Sequence, residues 1–261
     1  MALHDWTEHT FHTAVCWANI VIFVVVVLVG QGLGLFRLAY GRYATDVGGF
    51  TVNGRLDWFG HASGLLLLFP LTMWGDPACV SSWANTFMLW GMFGVHYVNR
   101  SFIFAICMRD PKPVPLSICV STFAFCLMNG YLQGRHLIAF ASYPYEWVAS
   151  PQFVVGAMLF YIGMYINISS DNTLRRLRAP GERGYKIPRG GLFEYVSGAN
   201  FLGEIIEWIG FAVATWSLPG AMFAITTFCS IAPRALHHHK WYLEKFNDYP
   251  RSRKALVPYI L

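Results

Sequence analysis

The chain has 261 residues, of which 55% are hydrophobic and 13% charged, and its mean hydropathy is +0.42. Soluble domains carry about 25% charged residues, so this composition argues against a soluble globular enzyme and for a protein in a bilayer. Six cysteines are too few for a disulfide scaffold, and the apolar content excludes disorder.

A bilayer crossing needs about 20 apolar residues. Stretches free of Asp, Glu, Lys and Arg run over 9–36, 58–75, 77–99, 113–134 and 147–170. The last apolar region, 192–233, is broken at Ser217-Leu218-Pro219-Gly220, a turn signal. The expected fold is therefore all-α and polytopic, with seven transmembrane helices over 12–35, 58–75, 83–107, 113–134, 148–170, 195–216 and 219–238. With the N-terminus outside (lumenal in an organelle) and the C-terminus cytosolic, eighteen of the nineteen Lys and Arg fall on the inside, and only Arg135 lies outside. The expected setting is the endoplasmic reticulum membrane in a eukaryote or the cytoplasmic membrane in a bacterium, with one membrane-embedded domain over 1–261 and a monomeric chain.

The net charge of +5 is mostly topology and does not imply a nucleic-acid partner. Two segments, 171–191 and the tail from 234, are more basic than topology needs. They suit a polyanionic ligand such as a nucleotide.

Polar residues inside spans point to function by default. Asn200, Glu204 and Trp208 follow i, i+4, i+8 spacing on the sixth helix, with Glu207 on its flank. Arg234, His238 and Tyr242 repeat that spacing on the seventh, Asn167 and Asp171 share a face of the fifth, and Tyr97 and Arg100 share a face of the third. One polar chamber opening to the cytosol is the simplest arrangement. His237, His238 and His239 do not make a metal site, because consecutive helical side chains diverge by about 100°. Gly30-Gln31-Gly32-Leu33-Gly34 follows an apolar helix rather than a strand, which disfavours a dinucleotide loop.

The second half of the chain carries Asn167-Ile168-Ser169-Ser170-Asp171, Tyr185-Lys186-Ile187-Pro188 and Gly190-Gly191-Leu192-Phe193. It continues with Tyr195-Val196-Ser197-Gly198-Ala199-Asn200-Phe201-Leu202-Gly203-Glu204 and Arg234-Ala235-Leu236-His237-His238-His239. Upstream stand His96-Tyr97 with Arg100, and Asn129-Gly130 with Leu132-Gln133-Gly134. These residues resemble the steroid 5α-reductase family, densely from about residue 95 onward and thinly over 1–94, where Tyr40-Gly41-Arg42 and Trp58-Phe59 stand out.

The resemblance implies a membrane reductase that uses NADPH to reduce the 4,5 double bond of 3-oxo-4-ene steroids entering from the bilayer. Carried over by position, the cofactor residues are Arg42, Arg100, Asn167, Asp171, Arg178, Tyr185, Lys186, Asn200, Glu204, Arg234, His238, Tyr242 and Arg253, and Tyr97 matches the catalytic tyrosine. Lys186 stands where the family often has Arg, giving a point charge in place of a fork. Trp208 and Phe125 are expected to line the steroid or nicotinamide site. The family's Gln-Glu pair after Trp-Phe is absent, because Trp58-Phe59 is followed by Gly60-His61; either the alignment slips in this thinly matching region or the role has moved, with His61 the candidate donor to the same oxygen. Rival readings are an enoyl-lipid reductase with the same hydride logic, an S-adenosylmethionine-dependent isoprenylcysteine-type methyltransferase, and a seven-helix receptor or transporter. The basic 175–189 segment favours a phosphate-rich ligand over S-adenosylmethionine.

Overall fold

The computed structural model describes residues 3–35, 49–178, 182 and 184–261. Arg42, with Tyr40 and Gly41, lies outside the described residues, as do Pro180, Gly181 and Arg183.

Helix α1 runs Leu3–Val21 and continues through wider π-type turns, Ile22–Val29, to Gly30–Gly32. Asn53 caps α2 (Gly54–Gly60) by accepting the Arg55 N–H at 2.9 Å, and α3 (Ser63–Met73) follows after a bend at His61-Ala62. The expected 58–75 span is thus two shorter helices. The α4 rod begins at Trp83–Thr86 and ends at Ala105–Cys107, with π-type turns over Phe87–Gly94 and Val98–Phe104.

Helix α5 (Leu116–Arg135, extended by His136–Phe140) starts later than expected. Pro113-Val114-Pro115 is extended and forms strand β2, paired antiparallel with β1 (Thr51–Asn53) in the register Val52↔Val114. Proline cannot donate to a helix or a ladder, so this short edge departs from an all-α chain. At its far end α5 runs past Arg135, because the guanidinium is neutralised by Glu8, with N–O distances of 2.8 and 2.7 Å.

Pro151 opens α6 (Pro151–Arg176), where a missing N–H costs nothing. It continues beyond the expected end with Arg175 and Arg176 in its last turn, where cations favour the helix dipole. Helix α7 (Ala199–Thr215) ends at Trp216, whose φ of 45° is left-handed, and Ser217 caps α8 (Leu218–Lys245) by accepting the Gly220 N–H at 3.1 Å. The break expected at Ser217–Gly220 is therefore observed, and α8 is longer than the span assigned to it.

Among the described residues, three helices are long and apolar enough to cross a membrane: Thr7–Gly32, Leu116–Phe140 and Pro151–Arg176. On α6 the residues Val154, Met158, Ile162 and Tyr165 line one exposed apolar face, as expected of a surface that meets lipid.

The described residues group into two compact units. The first contains residues up to 16 and 49–154, and the second contains 17–35 and 155–261. Each unit has its own close helix crossing. In the first, α3 meets α5 where an added Cβ at Gly64 would strike the Cys126 carbonyl and one at Gly130 would strike Gly64. In the second, Gly156, Gly163, Gly203 and Gly210 form a seam between α6 and α7; a Cβ on Gly203 would lie 2.5 Å from the Asn167 nitrogen and 2.8 Å from the Gly163 carbonyl oxygen. Small residues at this spacing let two helix backbones approach closely enough for short polar side chains to meet across them.

Candidate active site

In the first unit, α4 carries Tyr97 and Arg100 three residues apart, hence on one face. Tyr97 is buried at 4% exposure. Asn129 of α5 donates its amide N–H to the Tyr97 phenol at 3.2 Å, and Gln133, one turn on, donates to Asn129 Oδ1 at 3.1 Å. The Cys126 thiol lies within hydrogen-bonding reach of the same phenol. Arg100 lies against a pair of rings that meet edge to face at 4.9 Å, its guanidinium carbon 4.8 Å from the centre of Trp58 and 4.7 Å from that of Phe104. This stacking offsets part of the cost of burying a cation. The His61 ring packs on Trp58 at 4.5 Å, and Phe125 is half-buried on α5. Asp57, 3% exposed, precedes Trp58, with the Cys119 thiol in reach of its carboxylate.

In the second unit, the glycine seam brings four of the expected cofactor residues into one network. Asn167 donates to the Asn200 carbonyl at 2.9 Å and to Glu204 Oε2 at 3.4 Å, and Asn200 donates to Asp171 Oδ1 at 3.2 Å. Asn167 and Asp171 are buried, while Asn200 and Glu204 are half-buried. On α8, Arg234 is half-buried and the His238 ring lies 5.5 Å from Phe201 of α7. Tyr242 is buried and stacks on Tyr249 at 5.1 Å with the rings 11° from parallel. Arg178 follows the end of α6. Tyr185 is exposed with its edge on Trp241, and Lys186 lies 2.8 Å from Glu182. Trp208, at 1% exposure, is enclosed by Phe160, Phe211 and Phe223.

The chain tail is bound into the second unit. Arg253, 1% exposed, donates to the Pro188 carbonyl at 2.8 Å and to Glu194 Oε2 at 3.1 Å, and its guanidinium lies 5.4 Å from the Tyr249 ring centre. The hydrogen bond donated by the Gly190 N–H holds the Glu194 carboxyl below the usual range against the opposing cost of burial, and the Arg253 charge adds a lesser lowering. Ser197 Oγ joins His239 Nδ1 at 2.6 Å and Tyr249 Oη at 2.7 Å, so His238 and His239 serve different partners.

Asp57, Asn129, Gln133 and the Ser197–His239–Tyr249 node are not among the residues assigned from sequence. Asn129 and Gln133 carried a usable signal, two amides four residues apart in an apolar span. Asp57 did not, because it sits one residue outside an apolar stretch that begins at Trp58.

The donor set of the second unit fits a dinucleotide. Amides and carboxylates suited to carboxamide and hydroxyl groups are followed along α6 by Arg175 and Arg176 in its last turn, cations suited to phosphate.

Comparison with known proteins gives the same direction. The family model described as 3-oxo-5-alpha-steroid 4-dehydrogenase matches residues 112–261. The chain is 50% identical to human 3-oxo-5-alpha-steroid 4-dehydrogenase 2 over 78% of this chain and 77% of that protein. It is 48% identical to the mouse type 1 enzyme over 88% and 90% of the two chains, and 45% identical to the bovine type 1 enzyme over 94% of each. Identity of this degree over most of both chains places the sequence firmly: it belongs to the 3-oxo-5-alpha-steroid 4-dehydrogenase family of oxidoreductases.

Proposed function

We propose that this membrane protein reduces the 4,5 double bond of 3-oxo-4-ene steroids of the testosterone and progesterone type, with NADPH as the reductant. The observation that carries the reading is the Asn167–Asp171–Asn200–Glu204 network across the α6–α7 seam, in a chain of this family. In this reading the seven helical segments cross the bilayer with the N-terminus outside, and the C-terminal ends of α6 and α8 face the cytosol.

Bound at the second unit, NADPH would supply a hydride from nicotinamide C4 to C5 of the enone. Asn167, Asn200, Asp171 and Glu204 would bind the polar groups of the cofactor. Arg178, Lys186 and Arg234 would answer its phosphates, with Tyr185, His238 and Tyr242 framing them and Arg253 bracing the segment through Pro188. Arg42 and Arg100 complete the proposed cofactor set, and Trp208 and Phe125 belong to the proposed steroid-lining set.

Tyr97 supplies the carbonyl donor. Reduction at C5 builds negative charge on the C3 oxygen, and a phenol donating to that oxygen lowers the barrier most strongly in a dry site. With a pKa near 10 in water, tyrosine is protonated at neutral pH and so available as a donor. His61 is the second candidate donor, and water or a relayed group delivers the proton to C4.

The test is NADPH oxidation by purified protein on addition of testosterone or progesterone, with the 5α-dihydro steroid identified as product. Parallel thermal-shift titrations with NADPH and S-adenosylmethionine separate the reductase from the methyltransferase. Stabilisation by S-adenosylmethionine alone contradicts the proposal.

A further inference from the structure

Three buried side chains in the first unit form a line: Gln133 on α5, Asn129 one turn before it, and Tyr97 on α4. Their exposures are 1%, 0% and 4%. A primary amide has two ends that differ in kind, a carbonyl that only accepts and an NH₂ that only donates. The Gln133 NH₂ donates to the Asn129 carbonyl oxygen at 3.1 Å, and the Asn129 NH₂ donates to the Tyr97 oxygen at 3.2 Å. The amides are therefore oriented as a unit, because reversing Asn129 alone would set donor against donor and reversing Gln133 alone would set acceptor against acceptor. With Asn129 donating to it, the phenol oxygen acts there as acceptor, and its own hydrogen is directed away from Asn129, where the Cys126 sulfur, a weak acceptor, competes poorly with a steroid carbonyl. Donation into a hydroxyl oxygen also polarises that hydroxyl and strengthens its own donation.

The line is held in register from both ends. Packing of Gly130 against Gly64 fixes the height of α5 relative to α3, and the Ser63 hydroxyl donates to the Phe123 carbonyl at 3.0 Å. One residue before Gln133, the Leu132 carbonyl lies 2.8 Å from His12 Nε2 of α1, and two residues after it Arg135 is clamped by Glu8. Such anchoring suits a network whose geometry matters more than its contribution to stability.

We propose that Asn129 and Gln133 are positioning residues that aim the Tyr97 hydroxyl, with Gln133 fixing the Asn129 amide so that Tyr97 donates to the steroid C3 oxygen rather than to the protein. The inference rests on the reductase reading given above. Neither amide touches substrate; both act through Tyr97.

Asn129→Asp tests the direction of the line with almost no change of volume. An ionised carboxylate can only accept, so it draws the phenol hydrogen away from the substrate. The expected result is a fall in kcat on the order of 10²-fold at neutral pH, approaching loss of the donor itself, with KM for steroid and NADPH near wild type. Turnover should recover as the pH is lowered and the carboxyl protonates, because the acid form again donates to the phenol. Gln133→Met, nearly isosteric, is the second variant and should lower kcat less, without the recovery at low pH.

The independent readout is the ¹³Cζ resonance of Tyr97 in tyrosine-labelled protein, assigned by its loss in Tyr97→Phe, which should move in both variants. Wild-type kcat in Asn129→Asp, a loss with no pH recovery, or an unmoved Tyr97 resonance overturns the inference. Absence of enone reduction by the wild type overturns the functional reading instead, and the resonance then decides the relay alone.

Discussion

In the second unit Asn167, Asp171, Asn200 and Glu204 bind one another across a glycine seam, whereas in the first unit Arg100 rests against the paired rings of Trp58 and Phe104. Polar groups among apolar helices are costly, and the two units meet that cost differently. The second uses short side chains from two helices whose backbones nearly touch. It suits many simultaneous hydrogen bonds, as a dinucleotide requires. In the first, the Arg100 cation rests on rings and the Tyr97 phenol takes one hydrogen bond from an amide line, with the Cys126 thiol also in reach, an arrangement that suits one directed hydrogen bond. The contrast predicts that loss of the Tyr97 phenol appears in kcat and damage to the α6–α7 network in cofactor affinity.

The largest effect expected is from Tyr97→Phe, which should lower kcat by about 10²–10³-fold while NADPH still raises the melting temperature. Full turnover in this variant would remove the phenol from the mechanism.

Next is the seam itself. Gly203→Val places a side chain against the Asn167 backbone, and overpacking of this kind typically costs about 1–3 kcal/mol. The melting temperature should fall and stabilisation by NADPH should be lost with it. Retained cofactor binding would show that the α6–α7 crossing does not shape that site.

Glu204→Gln keeps the shape of the side chain and removes its charge. A hydrogen bond to a charged group contributes about 1.5–3 kcal/mol, so the NADPH dissociation constant should rise about tenfold or more with kcat little changed. A kcat defect with unchanged affinity would reverse the assignment of units.

The smallest effect concerns the tail. Because the folded-state pKa of Glu194 is lowered, its contribution to stability is fully present above the ordinary carboxyl range and is lost as pH falls through the folded value. Thermal melts below that range should therefore show a pH dependence that Glu194→Gln flattens. The side chain is 46% exposed, so solvent and salt weaken the effect. Equal acid sensitivity in the variant would mean the Arg253–Glu194 pair contributes nothing measurable.

Much of the second unit was legible in the sequence because its helical positions repeat every fourth residue. Asn167 with Asp171 and Asn200 with Glu204 could be placed on shared faces by counting, and the structure joins them. The Ser217 break was readable from its turn chemistry. The first unit was less legible for physical reasons. A charge-free stretch shows neither the bend at His61-Ala62 nor the late start of α5, because apolar content does not distinguish helix from the extended Pro113–Pro115 segment. The extension of α5 past Arg135 depends on Glu8, more than a hundred residues away, which local pattern cannot reveal. Asp57 was hidden by the converse error, since a charge at the edge of an apolar stretch reads as solvated, yet α2 buries it.

The most direct measurement follows the label from NADPH deuterated at both C4 positions into the steroid product. The account predicts one deuterium, at C5, in product formed by the wild type. Product without deuterium, or with deuterium at C4, would contradict it.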